Sequence, residues 1–245
     1  MKTLGGVMFI RNGETYDYNY LEAMACLEEL CDSVVVLDAG STDDTLKQLH
    51  KNKSDKTMLI ACNEWDSQQG REKLAYFQNM ALSFLDTDYY FLLQGDEILH
   101  EYSFDAVRAI IETGVDAAYC TRINLWRDAD SFIDVPENRQ PCSTQVIRLA
   151  KTNYKSHGDG ESIQAAADSS FLKELIIFHY GFVRRKEVMK DKIINMQEGV
   201  FRIPHDPKLD GSEIFNSELW FSGDELSPLE YPHPKFIKEW IKTRP

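Results

Sequence analysis

The sequence predicts an α/β protein built on a doubly wound, mainly parallel sheet. Two observations carry this expectation. Short apolar runs rich in β-branched residues alternate with stretches of helical periodicity from residue 1 to residue 125, the cadence that lays strands side by side with helices on both faces. Several of these runs also stop at polar or acidic turns, and ligands gather beyond the C-terminal ends of strands in open parallel sheets.

Leu4 to Ile10 is the first strand, closed by the turn Arg11-Asn12-Gly13. From Tyr20 to Cys31, the apolar residues Leu21, Met24, Ala25, Leu27 and Leu30 recur at near-helical spacing. Ser33-Val34-Val35-Val36-Leu37 is a continuous apolar run, as expected of a strand covered on both faces. It halts at Asp38-Ala39-Gly40-Ser41-Thr42-Asp43-Asp44-Thr45, where Thr42 or Asp43 is placed to cap a helix running through Leu46 and Leu49. A third strand follows at Thr57 to Ala61, then a helix over Gly70 to Leu85 with Leu74, Phe77, Met80, Ala81 and Phe84 along one side. Asp88 to Leu93 is a fourth strand, ending at Gln94-Gly95-Asp96-Glu97. Phe104 to Thr113 is a helix and Ala117 to Leu125 a strand.

The second half is less regular. Ser143 to Leu149 and Leu175 to Phe178 read as strands, separated by a polar loop, and Arg184 to Glu198 as a charged helix. The basic stretch Arg184 to Lys192 is expected to be a solvated helix face. Pro204, Pro207, Pro228, Pro232, Pro234 and Pro245 mark a loop-rich tail. The expected division is a main domain over residues 1–183 and a helical and irregular appendage over 184–245.

A chain of 245 residues is long enough for one sizeable core. Its formal charge of −13 argues against a nucleic-acid partner, because such affinity rests on a basic face that neutralises phosphate. An anionic ligand therefore needs local help from a metal ion or from a few Arg and Lys side chains. No run approaches the roughly 20 apolar residues that span a bilayer, so no transmembrane segment is expected, and the N-terminal residues do not read as a signal peptide. The five cysteines, Cys26, Cys31, Cys62, Cys120 and Cys142, contain no CxxC pair and read as reduced thiols of a cytoplasmic protein.

Two acidic clusters fall at strand ends: Asp38 with Asp43 and Asp44, and Asp96 with Glu97. Carboxylates there suit a hard cation or the hydroxyls of a nucleotide. A carboxylate directly after an apolar strand, as at Asp38, is costly to bury without a partner. The bland readings stand beside these: Asp43 and Asp44 as helix caps, Asp96 as a turn acid after Gly95, Glu97 as support for a helix or turn, and His179 as a hydrogen-bonded structural residue. Neither a GxGxxG after the first strand nor a GxxxxGK[ST] is present, so a dinucleotide fingerprint and a P-loop are unsupported.

The run from Val34 to Thr45 resembles the signature of the inverting glycosyltransferases of family 2, in which a strand ends in Asp-x-Gly-Ser-Thr-Asp-x-Thr. Phe9-Ile10-Arg11-Asn12-Gly13-Glu14 resembles the family's first nucleotide-binding loop, and Gln94-Gly95-Asp96-Glu97-Ile98 its Asp-x-Asp metal motif. The three occur in the family's order. The resemblance implies the GT-A fold, with residues 1–100 as the nucleotide-binding half and 101–183 as the acceptor half. It also implies transfer of a sugar from a UDP- or GDP-sugar to a glycan or other hydroxyl acceptor. On this reading Arg11, Asn12 and Asp38 bind the donor, and Asp96 holds Mn2+ or Mg2+ on the diphosphate. Gln94 departs from the motif's first acid and retains the ability to hydrogen-bond a ribose hydroxyl. His179, in Phe178-His179-Tyr180-Gly181, resembles a late histidine that completes the metal shell; Arg184 and Arg185 are placed to meet the diphosphate. The base is Glu161 or Asp159, in the loop His157-Gly158-Asp159-Gly160-Glu161-Ser162. Trp65, Trp126 and Trp220 are candidates to stack on an acceptor sugar, against packing as the default.

Two other functions compete. A sugar nucleotidyltransferase also uses a doubly wound sheet and acidic metal ligands, but its glycine-rich basic loop after the first strand is missing here. A catalytically decayed module that binds sugar or a partner is favoured only by Gln94.

Overall fold

Alternate residues of the central strands serve opposite faces of the sheet, and both sets are apolar. In β1 (Leu4–Ile10), Leu4, Met8 and Ile10 join one core cluster while Val7 joins another. In β2 (Ser33–Asp38), Val34 and Val36 face the first and Val35 and Leu37 the second. This is the period-two consequence of covering a sheet on both sides. The computed structural model describes residues 1–68, 70–171, 174–201, 204 and 225–244; Trp220, Pro207 and Pro245 lie outside the described residues.

Helix α1 (Tyr20–Leu30) and helix α2 (Thr45–Asn52) carry the chain from β1 to β2 and on to β3 (Thr57–Ala61), all in parallel register. Helix α3 (Glu72–Leu82) packs on the opposite face and returns the chain past β1 to β4 (Tyr89–Leu92), which pairs with β1 in parallel. The order β4-β1-β2-β3 therefore reverses direction between β1 and β4. Such a switch point leaves a crevice beyond the strand ends.

Past β4 the sheet becomes mixed. After β5 (Glu97–Leu99) and helix α4 (Phe104–Thr113), the long strand β6 (Ala117–Trp126) is followed by β7 (Ser131–Ile133) and β8 (Gln145–Lys151). Strand β8 lies antiparallel between β4 and β6. Strands β9 (Ser156–His157) and β10 (Ser162–Ile163) form a separate small hairpin. Strand β11 (Ile176–Phe182) runs parallel to β6 and antiparallel to β5. The expected α/β class is thus present, with the parallel order confined mostly to the first half.

Helix α5 (Lys186–Ile194) continues as a π-helical turn over Asn195–Phe201. The described part of the tail packs onto the main domain. Strand β12 (Leu226–Pro228) pairs with β7, and Ile237 and Trp240, flanking and within helix α6 (Lys238–Ile241), enter the main core. Trp240 lies edge-on to Tyr180 with ring centroids 5.8 Å apart.

Three buried charges join β5, β6 and β8. Glu97 accepts from Arg148 Nη2 at 2.7 Å and Nε at 2.9 Å, and from Arg122 Nη1 at 3.1 Å; all three side chains are at most 1% exposed. Burial opposes ionisation of Glu97, but Arg148 and Arg122 outweigh it and hold the carboxyl at about 2. Deleting one member of such a set leaves a buried charge uncompensated, so Glu97→Gln is expected to cost about 3–5 kcal/mol in chemical denaturation. With a folded pKa below its ordinary 4.5, Glu97 stabilises fully above that pH and loses its contribution as the pH falls through about 2. A wild-type acid titration should show that loss, and Glu97→Gln should lack it.

Candidate functional site

A cavity of about 380 Å³ opens at the switch point, within the size range of small-molecule sites. Its floor is the end of β1 (Phe9, Ile10, Arg11) and the turn after β4 (Gln94, Gly95, Asp96). Trp65, Leu74, Cys142, Asp159, Glu161 and His179 join the lining. Its roof is helix α5 with the π-helical turn, through Met189, Lys192, Ile193 and Met196. Helical spacing gives these four residues a common face, so the lysine sits in an apolar stripe.

Asp96, 5% exposed, is the electrostatic centre. Its Oδ2 takes Arg184 Nη2 at 3.1 Å and Lys192 Nζ at 3.2 Å, with His179 Nε2 at 3.8 Å. Burial raises the cost of its charge, yet Lys192, His179 and Arg184 hold it well below the usual carboxylate range. His179 Nδ1 faces Asn124 Oδ1 at 2.9 Å. The Asn124 amide nitrogen donates to Cys142 O and Gln140 Oε1, which fixes the amide oxygen toward the imidazole and makes Nδ1 the protonated nitrogen. Burial lowers the His179 pKa against the opposing pull of Asp96. Lys192 is 14% exposed; burial first, and then Arg184, lower its ammonium to about 8 despite Asp96.

Glu161 lines the cavity from the loop after β9. Its Oε1 accepts from Arg122 Nη2 and, at 3.1 Å, from the Ser143 N–H. Oε2 takes no hydrogen bond among the described residues. Asp159 Oδ1 accepts the Glu161 N–H at 3.3 Å, which makes it the brace of the loop. Gln94 Nε2 donates to Gly160 O at 3.3 Å and Gln78 Nε2 to the same oxygen at 3.1 Å. Gln94 thus ties the strand end to the Glu161 loop.

The first loop is built differently from expectation. Asn12, at φ +53°, a left-handed conformation that asparagine tolerates, accepts the Thr42 N–H at 2.8 Å and sends its own N–H to Ser41 Oγ. It clasps two loops and is absent from the cavity wall. Asp43 likewise ties Thr15 to Thr45 at the start of α2. Asp38 reaches the same sheet rim as Asp96, with β1 between them. Its Oδ1 accepts the Gly40 and Ser41 N–H groups at 3.1 and 2.9 Å, while the buried Oδ2 has no partner. Asp38 is also absent from the wall.

Arg11 does reach the cavity, its guanidinium 5.0 Å from the Trp65 ring centroid and its Nε without a hydrogen-bond partner. Trp65 stacks on Phe77 at 5.3 Å. Arg184 is fully buried and committed: Nε to Gly181 O at 2.9 Å, Nη1 to Tyr16 O, Nη2 to Asp96, with the Tyr18 ring over its carbon at 4.3 Å. Arg185 pairs with Asp17. Neither arginine lines the cavity. Trp126 is buried in the core beside Phe182.

A divalent cation fits this donor set poorly. Asp96 and His179 supply two ligands, and no group of three or more His, Cys, Asp or Glu side chains suited to a metal exists among the described residues. Two fixed cations already occupy Asp96 Oδ2. At an effective dielectric near 20, each repels a positive charge about 4 Å away by about 4 kcal/mol per unit of charge.

The residues that sequence reading passed over are Lys192, Arg122 and Arg148. Each carries its signal in its surroundings: a lysine between Met189, Ile193 and Met196, and arginines in mid-strand among apolar neighbours. All five cysteines are free, and no helix among the described residues is long and apolar enough to cross a membrane.

No protein-family model matches the sequence, and no curated protein matches it. Among solved structures the fold is similar to S. aureus TarS 1–349, at 13% identity and TM-score 0.43 over 88% of this chain and 69% of that one. The same protein in complex with UDP aligns at 15% identity and TM-score 0.45 over 91% and 73%. Mycobacterium tuberculosis glucosyl-3-phosphoglycerate synthase, in complex with Mn2+, UDP and glucosyl-3-phosphoglycerate, aligns at 16% identity and TM-score 0.45, over 65% of this chain and 62% of that one. This chain thus spans less than two thirds of the synthase's length. Likeness of this degree carries no argument about activity, which rests on the residues above.

Gly181 is where the cluster admits least change. A Cβ there would lie 2.3 Å from His179 Nε2 and 3.2 Å from Asp96 Oδ2, and an imidazole pinned to Asn124 has no room to yield. Gly181→Ala is expected to destabilise by about 1–3 kcal/mol, read as a lower melting temperature. An unchanged melting temperature would mean that the Asp96–His179 packing is looser than described.

Proposed function

We propose that this chain transfers a sugar from a nucleoside-diphosphate donor, a UDP- or GDP-sugar, to a glycan or other acceptor hydroxyl with inversion. The observation that carries this reading is the convergence, in one cavity, of an apolar aromatic end, two cations and a carboxylate with one open oxygen. Phe9 and Trp65 form the end suited to a nucleobase, with Arg11 beside it. Lys192 and Arg11 bring positive charge to the wall, and Glu161 lines the same cavity.

In the proposed reaction the acceptor oxygen attacks the anomeric carbon from the face opposite the diphosphate. Its proton passes to Glu161 Oε2, the oxygen left open when Arg122 and Ser143 hold Oε1. The bond from the anomeric carbon to the diphosphate oxygen breaks, and the nucleoside diphosphate leaves with the electron pair. Arg122 fixes which carboxylate oxygen faces the acceptor, and Asp159 braces the loop. Asp38, with one unpaired oxygen, shapes the loop beside Arg11. Mn2+ or Mg2+, implied by the motif resemblance, is given no step here, because the donor set around Asp96 fits it poorly.

A second reading, a module that binds a nucleotide sugar without turning it over, is favoured by one observation: Glu161 is already ion-paired with Arg122. Product analysis separates the two, since transfer or hydrolysis releases nucleoside diphosphate and a binding module releases nothing. A thermal-shift panel of nucleotide sugars is expected to show a selective rise with a UDP- or GDP-sugar; indifference to every nucleotide would overturn the proposal. Glu161→Gln is expected to lower kcat by about 10²–10⁴-fold with the donor Kd unchanged. A parallel loss of donor affinity would remove Glu161 from the role of base.

A further inference from the structure

We infer that the Lys192 ammonium, together with Arg11, takes the place that a divalent cation would hold on the donor diphosphate, so that donor binding is independent of metal. The inference rests on the nucleotide-sugar reading above and specifies how that site handles charge. Asp96 carries one negative charge and contacts two positive ones, Arg184 and Lys192. Arg184 is locked by Gly181 O, Tyr16 O and the face of Tyr18, outside the cavity wall. It therefore neutralises Asp96 permanently, and the charge of Lys192 is left in surplus.

Lys192 is placed to use that surplus. Its Nζ gives one N–H to Asp96 Oδ2 and one to Gly181 O at 2.9 Å, and an ammonium has three. The remaining N–H belongs to a side chain in the cavity wall, with the Tyr18 and Phe182 rings 5.1 and 5.8 Å from Nζ. A buried ammonium short of counter-charge is costly to maintain, and an anion in the cavity completes it. Arg11, with its unpartnered Nε, supplies the second cation of the wall. Two positive side chains match the two charges of a sugar-nucleotide diphosphate. Gln94, neutral where the motif has an acid, fits the same arrangement: one negative charge fewer at the strand end removes what would have to be offset by a metal.

Titration calorimetry of the full chain with UDP and with GDP, in EDTA and then in Mn2+, tests this directly. The expected result is binding of one nucleotide in EDTA, with Kd changed less than about threefold by Mn2+. Lys192→Met is expected to weaken that binding by about 10- to 100-fold, the loss of one charge-assisted hydrogen bond, with Lys192→Arg recovering part of it. Binding that appears only with Mn2+, or a Lys192→Met variant that is folded by circular dichroism and binds as wild type, would overturn the inference while leaving the nucleotide-sugar reading intact. Absence of binding to either nucleotide in both conditions would sink that reading itself. Should Lys192→Met not fold, the comparison of EDTA with Mn2+ on the wild type decides.

Discussion

A carboxylate buried between two arginines governs this architecture. Glu97 begins the short strand after the fourth central strand, Arg122 lies mid-strand on β6 and Arg148 on β8. An isolated charge at this depth is prohibitive, and the set is tolerable only with every member present. Strand β5, which contributes Glu97, and strands β6 and β8, which contribute the arginines, are therefore joined by one indivisible contact. The same contact orients the site, because Arg122 divides its guanidinium between Glu97 and Glu161 and so fixes one oxygen of a carboxylate that lines the cavity.

Asp96 and Glu97 are neighbours with opposite assignments. Glu97 turns into the sheet and is consumed by structure. Asp96 turns to the cavity and organises a cluster in which helix α5, from a distant part of the sequence, supplies Lys192. The roof is thereby tied electrostatically to the floor. The π-helical continuation of α5 brings Met196 and Val200 over the aromatic end, consistent with the frequent use of π-helical turns at functional sites.

Much of the first half was legible in the sequence. β1 and β3 match their predicted bounds and α4 spans Phe104 to Thr113 as predicted, because apolar runs and helical periods report burial directly. The placement of acids beyond strand ends was legible too, since the βα cadence implies it. What a motif cannot report is which way a side chain turns. Asn12 and Asp38 occupy their places in the resemblance, yet both spend hydrogen bonds on shaping the first two loops. The basic run from Arg184 to Lys192 read as a solvated face because charge is normally exposed; in the structure Arg184 is buried under Tyr18 and Lys192 lines the cavity. The prolines of the tail read as an appendage, whereas Ile237 and Trp240 pack into the core through contacts with α1 and β11 that no local pattern announces.

A crystal structure of the chain with a bound UDP- or GDP-sugar, grown in EDTA, tests the central claim most directly. The base is expected at Phe9 and Trp65, the diphosphate against Arg11 and Lys192, and the sugar's anomeric carbon facing Glu161. A nucleotide bound outside this cavity, or a sugar whose anomeric carbon faces away from Glu161, would contradict it.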